Sequence, residues 1–219
     1  MRAYLHLSCL AVLLAVVLWA APALAQPTVL GPTGLVRIPT ADALTDDEWN
    51  AAYFYIDPDE GPKTNDVVAN LGVATGLEVG LAATHNEDEN NTLLNAKYQF
   101  AQETLNHPAI AAGVLDLTNN LETTAYVVMS KTLASCIRTG YGENLSPRLT
   151  VGLGAGEFSG LFGGISTVLG DWLAVMVEYD TKDINVGARI RVTDNIRLHV
   201  DGFNGFDGVA FGVSYLAGF

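Results

Sequence analysis

The residues best equipped for chemistry are a few bases and acids that recur at alternate positions. In "DINVGARIRV", Arg189 and Arg191 share one strand face with Asp183, Asn185 and Gly187; in "NIRLHVDGF", Arg197, His199 and Asp201 share a face with Asn195. Lys97 of "NAKYQF" and Glu178 of "VEYD" extend the set. Confined in an enclosed interior, such charges allow two outcomes. A basic track would attract acidic sugars or set an anion preference, as charged rings do in pores. The same groups could instead pair into an internal network that neutralises a filled interior. The carboxylates of "VEYD" and "DTKD" could meet a cation, although acidic surface loops commonly share divalent ions without a dedicated site.

Catalytic and cofactor chemistry finds little support. Beyond the first 25 residues the histidines are His85, His107 and His199, and none sits in a recognisable nucleophile motif. The glycine-rich "GEFSGLFGG" lacks the following lysine and helix that a phosphate cradle needs. No catalytic residue, metal site or cofactor is assigned, and the chain is read as a non-enzyme.

What must position these residues is set by composition. The chain has 219 residues, 49% hydrophobic and 16% charged, with 22 glycines, and a mean hydropathy of +0.26. The first segment, "MRAYLHLSCLAVLLAVVLWAAPALAQ", has one basic residue, a short apolar run and an "ALA" before Gln26, which predicts a secretory signal cleaved after Ala25. Cleavage removes Cys9, so Cys136 stands alone and an internal disulfide is excluded. It also removes Arg2, leaving 10 basic against 24 acidic residues and a formal charge of −14. Such a protein repels nucleic acid, which is excluded as a partner.

Residues 26–48, "QPTVLGPTGLVRIPTADALTDDE", carry prolines and glycines without a sustained period and read as an extended lead-in. From Trp49 onward the period is two. Alternation predicts twelve strands, within a range of 10–14, at 50–56, 67–75, 77–85, 93–101, 109–117, 123–131, 148–155, 161–169, 172–180, 183–193, 195–203 and 208–219. Segments 109–117 and 123–131 are apolar on both faces, which leaves their orientation open. Connections alternate between polar, mainly acidic loops and tight turns such as "TG", "GD" and "TDN"; the stretch 132–147 is too long for the short-turn side. With no apolar run of about twenty residues beyond the N-terminus, backbone groups in hydrocarbon could be paired only in a closed barrel. The fold expected is all-β, an antiparallel transmembrane β-barrel over 49–219, placed in a bacterial outer membrane. A soluble all-β protein is the alternative.

The chain ends on alternating bulky residues: Phe211, Val213, Tyr215, Ala217 and Phe219 share one face. This stripe resembles the terminal strand read by the barrel-assembly machinery of bacterial outer membranes, which implies that machinery and outer-membrane lipid as partners. "GPTGLVRIPTADAL" at 31–44, with "GLFGGIS", "VEYDTKDINVGARIRVTDNIRLHV" and the final "FGVSY", resembles the YjbH-type family of exopolysaccharide-associated outer-membrane proteins. The resemblance implies a barrel tied to exopolysaccharide export or the cell surface, with a polysaccharide or a periplasmic export protein as partner. It supplies no catalytic residues. In the N-terminal motif, Gly31, Pro32, Gly34 and Pro39 shape a rigid turn from which Leu35, Val36 and Ile38 could enter the barrel mouth as a plug or docking tag; an ordinary ordered lead into the first strand is equally compatible. A passive porin-like channel for small solutes is the second functional reading, and a lipid-modifying barrel enzyme acting through His199 and a serine is the third.

Overall fold

The computed structural model describes residues 25–86, 90–133, 137–138 and 144–218. Twelve long strands close into one antiparallel barrel. They are β1 (Glu48–Asp57), β2 (Thr64–Ala74), β3 (Leu77–His85), β4 (Asn90–Ala101), β5 (Ala109–Leu115) and β6 (Thr124–Thr132), then β9 (Arg148–Gly154), β10 (Gly160–Leu169), β11 (Leu173–Tyr179), β12 (Ile184–Arg191), β13 (Ile196–Phe203) and β14 (Gly208–Gly218). Between β6 and β9 lie two short strands, β7 (Ile137–Arg138) and β8 (Asn144–Leu145), which pair with each other. Leu145 of β8 also pairs with Leu169 at the end of β10. The long connection expected over 132–147 therefore holds a small hairpin rather than a missed barrel strand.

Each long strand pairs with its neighbour, β6 with β9, and β14 returns to β1 over the register Glu48↔Gly218 to Asp57↔Val209. Closure leaves no unpaired edge, which is the condition for a sheet to sit in lipid.

The period of two sorts the two faces. Outward residues include Tyr53, Val67, Leu81, Tyr98, Val127, Met129, Leu153, Val177, Leu198, Val200, Phe211, Val213 and Tyr215, all large and exposed. Water would not stabilise such a girdle, whereas a bilayer would. Trp49 stacks on Tyr215 at 5.3 Å near the strand ends opposite the acidic loops, where an amphipathic ring belongs. On β14, Ala210, Ser214 and Leu216 point inward while Phe211, Val213 and Tyr215 point outward. Phe219, Cys136 and the leader up to residue 24 lie outside the described residues.

The two strands without a polar face are resolved by their inner contacts. Ala109, Ala111, Leu115, Tyr126 and Val128 are buried inside the barrel, and they cluster with Leu35, Val36, Ile38 and Ala41 of the N-terminal segment. Both faces are apolar because one meets lipid and the other meets this segment.

Candidate functional site

The barrel interior is occupied by residues 25–44. Ala25 lies at the end where β1 begins, its carbonyl accepting from Asn50 Nδ2 at 3.0 Å. The chain climbs toward the loop end, where Arg37 pairs with Glu157 (2.7 Å) and Asp180 (3.1 Å). It then returns, so that Leu44 packs with Ala25 and Leu216 before β1 starts. Its folding is local. The Val29 N–H donates to Val36 O (3.1 Å), Gly34 N–H to Gln26 O (2.9 Å) and Leu35 N–H to Ile38 O (2.9 Å). Gly31 has φ +121°, and a Cβ there would collide with the Asn95 amide; one on Gly34 would collide with the Ile38 carbonyl. No other residue type fits either position.

A segment with so many open backbone groups can be buried only if the wall answers them. Two carboxylates take the donors. Glu178 accepts from the N–H groups of Val36 (2.9 Å), Arg37 (2.8 Å) and Ile38 (3.4 Å), and from Asn185 Nδ2 (3.1 Å). Glu78 accepts from Thr33 N–H (2.9 Å), Thr33 Oγ1 (2.8 Å) and Leu44 N–H (3.1 Å). Cations and amides take the carbonyls. Arg189 donates to Gly34 O (3.0 Å) and to Leu35 O, Lys97 to Thr33 O (2.9 Å), Asn70 to Gly31 O (2.7 Å), Asn95 to Leu30 O (3.1 Å) and Gln99 to Ala41 O (2.7 Å). At the lower end Arg148 bridges Asp42 (2.7 Å) to Glu103. Apolar contacts complete the fit, with Val29 against Ala52, Phe54, Val68, Ala82 and Leu93. Small wall residues leave the room: a Cβ on Gly187 would come 2.8 Å from Val36 Cγ2, and one on Gly164 2.7 Å from Leu35 Cδ1.

The sequence-predicted charged set divides accordingly. Arg189, Arg197, Lys97, Glu178 and Asp201 are all buried, on inward faces. Arg189 and Lys97 are turned to the N-terminal segment rather than to an open track, and Lys97 pairs with Glu78 at 3.4 Å. Arg191 stands apart at the turn end, about a third exposed and 4.0 Å from both Asp171 and Asp194. His199 is buried beside Ser214 at 2.7 Å, and Ser214 donates to Gln26 Oε1 at 2.7 Å. That histidine–serine pair lies buried under the N-terminal segment. Gly31, Pro32, Gly34 and Pro39 lie in the turns of this segment, which carries the isolated bridges Pro27↔Thr33 and Gly34↔Pro39. Sequence reasoning did not single out Glu78, Asn70, Asn95, Asp66 or Arg148. The signal available was their place on the polar side of their strands, shared with residues that bind nothing.

No family model matches the chain, and no curated protein matches it. Among solved structures it is similar to the KdgM porin, with a TM-score of 0.55 and 15% identity, over 78% of this chain and 99% of that one. It is similar to a KdgM porin in complex with disordered oligogalacturonate at TM-score 0.54 and 15% identity, over 78% and 99% of the two chains. The NanC porin follows at TM-score 0.51 and 12% identity, over 76% of this chain and 98% of that one. The fold is that of these outer-membrane porins.

Proposed function

We propose that this chain is an outer-membrane channel for small polar solutes, held closed by its own N-terminal segment. The observation that carries the reading is a porin-like barrel whose interior is filled by residues 25–44 through hydrogen bonds and side-chain packing. Burying each large apolar side chain of that segment contributes about 1.5–3 kcal/mol, against about 1–2 kcal/mol per residue for ordering its backbone. Opposing terms of similar size suit a plug that is seated at rest and can be dislodged. The leader is removed after Ala25 on this reading, which puts the new N-terminus at the turn end of the barrel. The test is solute uptake by proteoliposomes: slow uptake with the chain from Gln26 onward and fast uptake after deletion of residues 27–44 supports a plugged channel. Equal rates would sink it.

A second reading follows from the same segment. The motif by which the chain resembles the YjbH-type family, residues 31–44, is the one that fills the lumen, and a permanently seated plug suits a surface scaffold for an exopolysaccharide better than a conduit. Loss of matrix on deleting the gene, restored equally by a form whose plug cannot leave, would favour this reading over the channel.

A further inference from the structure

We propose that the loop-end vestibule above the plug is a binding site for a small organic cation with an apolar body, such as a protonated diamine. The vestibule is a cavity of about 560 Å³, within the range of small-molecule sites. Its floor and sides are apolar: Val29 and Leu30 of the plug, Ile56, Pro58 and Phe203. Its charged lining is dominated by four carboxylates, Asp59, Glu60, Asp66 and Asp207.

Asp66 makes this more than an acidic rim. It sits on β2, opposite Phe54 on one neighbour and Thr84 on the other. Only 4% of it is exposed, yet it lines the cavity and its Oδ1 has no hydrogen-bond partner among the described residues. Thr64 and Thr84 stand near the carboxyl, yet neither donates to Oδ1, and leaving a buried acceptor unmatched is costly. The nearby bases are already committed. Arg37, itself on the cavity lining, serves Glu157 and Asp180, and Lys63 serves Asp57 at 2.8 Å. The vestibule therefore keeps an excess of negative charge. Among the described residues no group of three or more His, Cys, Asp or Glu could hold a metal ion, so spread carboxylates over an apolar floor fit separated ammonium groups on a hydrocarbon better than one small ion. An acidic oligosaccharide of the kind named for the KdgM complex would meet repulsion here.

The proposal is tested by calorimetric titration of the chain from Gln26 onward, refolded in detergent micelles, with 1,5-diaminopentane. Expected is saturable one-to-one binding that weakens with salt, falls at least about tenfold in Asp66→Asn, and falls several-fold in Asp207→Asn and Glu60→Gln. The last two lie on exposed positions and do not depend on the tolerance of the strand at Asp66. No saturable binding, or affinity unchanged in all three variants, overturns it. So does displacement of the diamine by magnesium chloride alone, or tighter binding of trigalacturonate or maltotriose. The titration reads binding with the plug seated, so a barrel that never conducts leaves the result intact, and the two readings fail separately.

Discussion

Glu178 shows how a single side chain can hold a buried segment in place. Its carboxylate offers two oxygens to three plug N–H groups and to Asn185, whereas a glutamine there would turn an NH2 toward donors. Leaving buried donors unmatched costs about 1–3 kcal/mol each, so on the proposed channel reading Glu178→Gln raises the open fraction by about fivefold or more, measured as open probability in planar bilayers; an unchanged value would separate this residue from the seating of the segment. Asp116, in the loop after β5, gives a pH-dependent case. Burial pushes its carboxyl up, but hydrogen bonds from Thr118 Oγ1 (2.6 Å), Leu121 N–H (2.7 Å) and Asn120 N–H (3.2 Å) outweigh burial and hold it below the usual carboxylate value. A depressed carboxylate stabilises the folded loop above its unfolded value of about 4. That stability is lost as pH falls through the lower folded value. Asp116→Asn, which keeps a residue tolerant of the positive φ of 56°, speeds amide exchange over 117–123 near neutral pH, and the difference from the parent closes on acidification. The inward direction of Arg189, Arg197, Lys97, Glu178 and Asp201 was legible from period two alone. Their partners were not, because most are main-chain groups of a distant segment, and a peptide carbonyl has no signature in sequence.

At the level of elements, the strands were read closely because lipid on one side imposes strict alternation on each of them. The pattern reads 77–85 and 195–203 where β3 and β13 run Leu77–His85 and Ile196–Phe203. The facing of β5 and β6 was ambiguous because the plug supplies a second apolar neighbour, and the strand count was open over 132–147. The lipid stripe of β14 is testable against its inner face. Val213 is exposed and mid-strand, so Val213→Arg destabilises the barrel by about 2–4 kcal/mol in lipid, read from guanidinium unfolding in vesicles. The plug itself is an element without a period, recognisable only by its glycines and prolines, and its place inside the barrel depends on gaps such as Gly164 and Gly187 that look like any other strand glycine. Gly187→Val crowds Asp201 first, then Val36 and Met176, which loosens the plug and, on the proposed channel reading, raises solute uptake while β-sheet content by circular dichroism stays unchanged.

For the whole molecule, closure of twelve strands fixes a lumen and the N-terminal segment fills it, so conduction requires that segment to move. The most direct test locks it in place. Val36 Cγ2, where the sulfur of a cysteine at position 36 would stand, lies 2.8 Å from where a Cβ on Gly187 would stand, near the roughly 3 Å that separates one sulfur from the opposite residue's Cβ across a disulfide. The variant Val36→Cys with Gly187→Cys and Cys136→Ser is to be placed in a planar bilayer and its single-channel current recorded before and after reduction. The account predicts no current while the bond is intact and discrete openings once it is reduced; equal currents in both states would mean that ions do not pass where the plug sits, and would contradict it.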